Sequence, residues 1–372
     1  MVKPAIVQTK RILLLTTSVG SGHKRAGEAI QEALSERCPK FFNIQTETYF
    51  DYFPPLTKEI VSGTYVKTIQ LMRWVLKYLY KYQKKDLDRK SAKHFFSKPL
   101  IKKYEKSIKN FEPDIIVCTQ ALSCKFVSIL KANGKSFAPL IAVITDFDIH
   151  PYWLNKYVDK FVVPTHEIKE EFIRHGIEAD KIHSFGIPIH PHFSKTRNKS
   201  VLKRKLGIIK DLPAVLIMGG GWGLGPIKKI VLHLNTLEIA FQLIVVTGEN
   251  GALKKELDEI LSKLRVPVKV YGYVNNMDEL MDVSEIAITK PGGLTVSELL
   301  AKGLPAVLVD VIPGQEDTNG EYLISKGAAR RIKKINGLKD MIQALLKNPE
   351  KLNQMKMKAR AAARPSAAAD TA

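Results

Sequence analysis

Residues 11–34 read RILLLTTSVGSGHKRAGEAIQEAL. The run at 11–17 is apolar and closes on two threonines, which predicts a buried strand. The amphipathic stretch at 24–37 predicts a helix. Between them lies a glycine turn, Gly20-Ser21-Gly22, and at the helix entrance one histidine, His23. A strand, a glycine turn and a helix in succession open a parallel α/β sheet. Such a turn exposes backbone N–H groups at the positive end of a helix dipole, so Gly20 and Gly22 are candidates for a phosphate loop. The spacing fits neither GxxxxGK[ST] nor GxGxxG. A histidine at that point can take a proton from a hydroxyl near neutral pH, which makes His23 the candidate general base. Plain helix capping is the alternative reading of the same residue.

The scheme repeats along the chain. DIIVCT (114–119), LIAVIT (140–145) and KFVVPT (160–165) predict three more strands, the last followed by a helix at 166–175. HPHFSKTRNKS (190–200) is basic and lacks periodicity, which predicts a linker with its core at 194–200 after a first domain over 1–193. Beyond it, AVLIMGGG (214–221), FQLIVVTG (241–248), VKVYGYV (268–274), IAITK (286–290) and PAVLVD (305–310) predict a second domain over 201–354. Residues 355–372 close the chain as an alanine-rich helix. The predicted class is α/β, with two doubly wound domains facing across a cleft, an arrangement suited to a nucleotide-linked substrate.

The 372 residues carry a formal net charge of +21. Such a balance favours an anionic partner: nucleic acid, an anionic membrane or a phosphorylated substrate. Much of it is local. Over 67–109 there are 14 Lys or Arg against 3 Asp or Glu, a net +11. TYVKTIQLMRWVLKYLYKYQKK, within a strandless insertion at about 64–109, predicts an amphipathic helix. Tyr65, Ile69, Met72, Val75, Leu76, Leu79 and Tyr80 share one face. Trp74 stands among Lys77, Lys81 and their basic neighbours on the other, as on a helix lying against anionic lipid. No helix-turn-helix, zinc-finger or RNP signature accompanies the charge, which sets nucleic acid aside. No stretch reaches the ~18 apolar residues of a membrane span, and no signal peptide is evident. The expected location is cytoplasmic, peripheral on the inner face of the cell membrane. Cys38, Cys118 and Cys124 form no CxxC pair and read as small apolar side chains in a reducing compartment.

Two further loops carry chemistry. MGGGWGLGPI (218–227) holds five glycines between a strand and a helix, and Gly219, Gly220, Gly221 and Gly223 are placed to cradle a diphosphate. TKPGGLTVSELLAKGLPAVLV (289–309) turns at Pro-Gly-Gly into a helix whose Glu298 can accept hydrogen bonds from both ribose hydroxyls. In DVIPGQEDTNGEYL (310–323), Gln315, Glu316 and Asn319 offer the amides and acceptors that suit a sugar.

Together these motifs resemble the monogalactosyldiacylglycerol synthase and processive diacylglycerol glucosyltransferase group of glycosyltransferase family 28. GSGHKRAGEAI resembles the group's opening loop. TKPGGLTVSELLAKGLP, PGQEDTNGEYL and GYVNNMDELMDVSEIAITKPGG (272–293) resemble its nucleotide-sugar half. TDFDIHPYWLNKYVDKFVVPT (145–165) and GIPIHPHF (186–193) are also similar. The resemblance implies a GT-B fold of two Rossmann-like domains, and inverting, metal-independent transfer of a hexose from a UDP-sugar to diacylglycerol. Glucose and galactose stay open as the sugar. Position by position, it implies that Glu298 binds ribose. Gly292, Gly293, Thr295 and the 219–223 glycines line the diphosphate. Tyr273 and Val274 hold uracil, Gln315, Glu316 and Asn319 face the hexose, and His23 is the base. It implies no cofactor, although anionic lipid is expected to activate. A homodimer stays open. The closing helix is expected to cross back to the first domain, as in GT-B proteins. Asp146-Phe147-Asp148 resembles the DxD metal site of the other major glycosyltransferase fold. Its place in the acceptor half instead suggests that Asp146 orients the acceptor or local backbone, with His150 and Trp153 near a lipid entrance. A carboxylate there is the alternative base. Transfer to a polyprenyl-linked acceptor and nucleotide-sugar epimerisation are the competing readings.

Overall fold

A computed structural model describes residues 9–17, 21–52, 94–309 and 314–372. Trp74, Lys77, Lys81 and Gly20 lie outside them. The chain divides into two compact units, residues 1–191 with 366–372, and residues 192–365.

The first unit is built on a six-stranded, all-parallel sheet. Its strands are β1 (Lys10–Thr16), β2 (Phe42–Thr48), β3 (Ile115–Cys118), β4 (Leu140–Val143), β5 (Lys160–Val162) and β6 (Ile182–His183), in the order β2-β1-β3-β4-β5-β6. The alternation along β1 shows why the run LLLT is apolar throughout. Leu13 and Leu15 enter a cluster with Ile116, Cys118 and Phe126 on one face, while Ile12 and Leu14 enter another with Ile30 and Val117. A strand buried on both faces has no polar side to show. Helices α1 (Ser21–Arg37), α2 (His94–Phe111), α3 (Ala121–Ala132) and α4 (His166–Arg174) belong to this unit.

The predicted insertion is only partly described. Over 94–109 it forms a helix with one face packed on the core. In α2, Tyr104 and Ile108 are buried in the core, and Tyr104 stacks on Tyr52 with ring centroids 3.9 Å apart. Its basic residues Lys102, Lys103, Lys106 and Lys109 are exposed.

The second unit repeats the architecture with β7 (Ala214–Met218), β8 (Gln242–Val246), β9 (Val268–Tyr271), β10 (Ile286–Thr289), β11 (Ala306–Leu308) and β12 (Ala329–Arg331), all parallel, in the order β12-β11-β10-β7-β8-β9. Its helices are α5 (Lys199–Lys205), α6 (Ile227–Leu234), α7 (Gly251–Asp258), α8 (Met277–Val283), α9 (Gly293–Lys302), α10 (Gln315–Ser325), α11 (Leu338–Leu346) and α12 (Pro349–Ala361).

Two boundaries differ from the sequence reading. Residues 194–200 are not a free linker. Asn198 caps α5 by accepting from the N–H groups of Ser200 and Val201, and the unit boundary falls at Pro191. Arg197 reaches Asp278 at 2.5 Å and Asp282 at 3.1 Å, so this segment is clamped to α8. Residues 355–361 stay with the second unit, where Met355 and Ala359 are buried. The return to the first unit begins at Ser366. There α13 (Ala367–Thr371) sets Ala368 against Ala29 and Ala33 of α1, and Arg37 donates to the carbonyl of Ala369 at 3.1 Å.

Candidate active site

In each sheet the chain runs outward in opposite directions from one pair of strands: β1 and β3 in the first, β7 and β10 in the second. The loops beyond the carboxyl ends of such a pair separate and leave a crevice where open α/β sheets bind ligands. The predicted residues that are described lie in or near the loops and helix starts that follow the strands of these two sheets.

On the first edge, helix α1 begins at Ser21, so Ser21 and Gly22 of the predicted turn are helical, and His23 lies in the helix's first turn. His23 is half-buried, and its Nδ1 lies 2.8 Å from the carbonyl oxygen of Thr119 and 2.7 Å from Thr145 Oγ1. Thr119 and Thr145 follow β3 and β4, the next two strands of the sheet. The Thr119 hydroxyl donates back to the carbonyl of His23 at 2.9 Å. A carbonyl can only accept, so the contact with Thr119 places the hydrogen on Nδ1. In the neutral ring, Nε2 then keeps its lone pair, the state a general base needs. The bond to the strand edge fixes both ring plane and tautomer, as an orienting group does for a catalytic histidine. Helix capping does not explain these contacts, which bridge three strands.

The acidic triplet sits in the loop after β4. Asp148 is buried, and its Oδ1 accepts from the N–H of Ile149 at 2.9 Å, so this carboxylate is turned onto its own loop. Asp146 is half-buried. His150 accepts from the N–H of Tyr152 at 3.2 Å and caps the short turn at Pro151–Trp153. Trp153 is not exposed at a lipid entrance. It is 4% accessible and packs in the core cluster with Ile149 and Val158. Among the described residues no group of three or more His, Cys, Asp or Glu is arranged to hold a metal ion. Cys118 and Cys124 are free and buried beside this edge, and burial pushes the Cys118 thiol up, with Cys124 adding to it. Cys38, by contrast, is exposed.

On the second edge the chemistry is carried by backbone. The loop after β7 is tightly folded, with Leu224 N–H donating to Gly219 at 2.9 Å and Glu249 N–H to Gly221 at 2.8 Å. Gly223 has φ +58°, and a Cβ there would run into the carbonyl of Thr247. Gly248, also at φ +58°, meets the carbonyl of Gly221 in the same way. Neither place accepts another residue without the loops parting, because both the left-handed conformation and the close approach require glycine. This is a built loop, not a flexible surface one.

Across the crevice, α9 begins at Gly293 with Gly292 as its cap and no side-chain capping bond. The first N–H groups of a helix have no partner within it, so Gly293, Leu294 and Thr295 present donors at the positive end of a dipole, where a phosphate is stabilised. Glu298 is buried in the same helix at 5% accessibility. Gln315 and Glu316 open α10, both half-buried, whereas Asn319 is fully buried on its inner side. Tyr273 is exposed and Val274 half-buried after β9.

Sequence reasoning missed four residues: Thr119, Thr145, Gly248 and Lys290. A signal for the first two was present, since buried strand after buried strand ends in threonine (LLLTT, IIVCT, IAVIT, IVVT, IAIT). Lys290 closes β10 and is 8% accessible, with its ammonium 2.9 Å from Glu316 Oε1.

Residues 23–189 match the family model described as monogalactosyldiacylglycerol (MGDG) synthase. Residues 214–371 match the glycosyltransferase family 28 C-terminal domain. A processive diacylglycerol beta-glucosyltransferase of Bacillus cytotoxicus is 31% identical over 98% of this chain and 92% of its own. One from Bacillus licheniformis is 29% identical over 93% and 89%. Among solved structures, Acinetobacter baumannii MurG superposes with a TM-score of 0.63 at 14% identity, covering 97% of this chain and 98% of its own. Anabaena HepE, solved with UDP, gives 0.56 at 15%, covering 95% and 94%. At such identities these likenesses speak for the fold alone, which is GT-B with two Rossmann-like domains.

Proposed function

The chain belongs to the monogalactosyldiacylglycerol synthase and diacylglycerol glucosyltransferase group of glycosyltransferase family 28 and is a glycosyltransferase; from that premise we propose that it moves a hexose, glucose or galactose, from a UDP-sugar to the 3-hydroxyl of diacylglycerol with inversion and without a metal. The observation that carries the reading is the His23 ring, held by Thr119 with Nδ1 as donor and Nε2 free to take a proton. The diacylglycerol hydroxyl oxygen attacks the anomeric carbon as its proton passes to Nε2. The bond from that carbon to the β-phosphate oxygen breaks, and UDP leaves with the electron pair. One displacement inverts the anomeric centre.

The departing charge meets the helix N-terminus at Gly293–Thr295 and the glycine loop, which together supply fixed donors where negative charge develops. Glu298 takes the ribose, and Gln315 and Glu316 the hexose. Diacylglycerol is supported by the relatives' names, and UDP by the neighbour solved with it. No helix among the described residues is long and apolar enough to cross a membrane. We place the proposed enzyme at the inner surface of the cell membrane because anionic lipid there would attract its basic excess.

The test is a donor panel. Purified protein is incubated with diacylglycerol in anionic mixed micelles, EDTA and UDP-glucose, UDP-galactose or UDP-N-acetylglucosamine. A β-linked glycolipid from one hexose donor is expected. An α-linked product, a need for divalent metal, or no glycolipid from any donor overturns the reading.

A further inference from the structure

Three charged groups of the second unit are buried without any role in the mechanism given above: Lys203, Asp278 and Lys290. Two are explained by packing. Lys203 donates to the carbonyls of Lys210 and Leu212 at 2.8 and 2.9 Å and closes the turn after α5. Asp278 pairs with Arg197 at 2.5 Å. Lys290 has no comparable structural duty. It stands at the carboxyl end of β10, two residues before the α9 cap, and its ammonium meets Glu316 in the first turn of α10 at 2.9 Å. The pair therefore spans the ends of two adjacent strands on the edge that carries the donor loops.

We propose that Lys290 is a positioning residue for the hexose subsite: it fixes the Glu316 carboxylate and neutralises it, so that Glu316 can accept sugar hydroxyls next to a diphosphate. This rests on the assignment of Glu316 to the hexose. The physical problem is charge. A UDP-sugar brings two negative charges, and Glu298 already places a buried carboxylate on this edge. A second, uncompensated carboxylate would repel the donor in a medium of low dielectric. An amide would avoid the repulsion but accepts less strongly, because hydrogen bonds to an ionised acceptor are shorter and stronger. Pairing the carboxylate with a buried ammonium keeps the strong acceptor and removes its net charge. It also holds one rotamer of a long side chain, which is what telling one hydroxyl configuration from its epimer requires. A pair retained only for stability has no reason to lie at the ligand edge, since apolar side chains of similar size serve a fold as well or better.

The inference concerns the hexose, not the nucleotide, and that sets the experiment. Calorimetry is done with UDP, UDP-glucose and UDP-galactose on the wild type, Lys290→Met, Lys290→Arg, Glu316→Gln and the Lys290→Met/Glu316→Gln double variant. Lys290→Met is expected to weaken the preferred UDP-hexose by about tenfold or more and to narrow the gap between the two sugars, with UDP affinity changed by less than about threefold. Unchanged UDP affinity also reports that the variant is folded. Lys290→Arg should recover most of the loss. The double variant should be no weaker than the worse single one, because a pair acting as a unit is not additive. Equal losses for UDP and UDP-hexose, additive losses in the double variant, or wild-type sugar discrimination in Lys290→Met would overturn the inference. None of these readouts needs an acceptor, so a failure to make glycolipid would sink the proposed transfer and leave this result standing. A wild type that binds no UDP-hexose sinks both.

Discussion

The two sheets have the same strand count and opposite ways of building a site. On the first, the proposed chemistry rests on a side chain. The His23 ring is held by polar groups that end β3 and β4, and the precision comes from hydrogen bonds made about a hundred residues away in sequence. On the second, backbone does the work. Gly223 and Gly248 let two loops touch where any side chain would force them apart, and the donors are helix N–H groups. A proton acceptor needs one group in one tautomer, which a network can set. A diphosphate needs several donors at once, which close-packed glycine backbone provides. Damage to the first edge should therefore appear in turnover, and damage to the second in binding and stability.

Three measurements test that division, and a fourth tests stability in acid. The largest effect is expected from His23→Ala, which should lower kcat by about 10²- to 10⁴-fold while UDP affinity stays within about twofold, since a base acts in the transition state. Retained turnover would move the proton to a carboxylate such as Asp146. Next is Gly223→Ala. Strain at positive φ together with the clash on Thr247 should cost about 2–3 kcal/mol in thermal or urea unfolding and weaken UDP as well. Unchanged UDP binding would mean that the loop does not cradle phosphate. Thr145→Val should be milder, about a five- to tenfold loss in kcat with KM for the donor unaltered, because the ring loses its contact with the Thr145 hydroxyl and keeps its bond to the Thr119 carbonyl. A donor KM effect instead would erase the distinction between the edges.

The smallest concerns acid. Burial alone would raise the Glu285 carboxyl, but hydrogen bonds from Lys199 and Lys356 outweigh it and hold it below its ordinary value. A depressed carboxyl contributes stability that is complete above the unfolded pKa, about 4.3, and is lost as pH falls through the lower folded value. Wild type should lose this increment below about pH 4. Glu285→Gln should flatten the acid limb of an unfolding-midpoint profile, and an identical limb in both proteins would discard the assignment.

The sequence made the central strands legible and the borders of each sheet much less so. β1, β3, β4, β7, β8 and β10 are apolar runs because both faces are covered. β2 and β12 were not predicted, and both are edge strands: FNIQTET has no fully buried residue and exposes Asn43 and Thr46, and β12 ends in two exposed arginines. β6, the other unpredicted edge, has two residues. Edges bury one side at most and carry no unbroken apolar signal. The site was legible to the same extent. Glycines and His23 announce themselves by where they interrupt a pattern. Thr119, Thr145 and the Lys290–Glu316 pair acquire meaning only from strand order, which spacing along the chain does not encode. The burial of Trp153 in the core is likewise not encoded in spacing along the chain.

The return of residues 366–372 to the first unit has a consequence for biosynthesis. Helix α1, which carries His23, is buttressed by Ala368 against Ala29 and Ala33, yet that buttress is made after the 174 residues of the second unit, 192–365. On the ribosome one side of α1 in the nascent first unit therefore stays uncovered until the second unit has been translated, so completion of the first unit is timed by synthesis of the second.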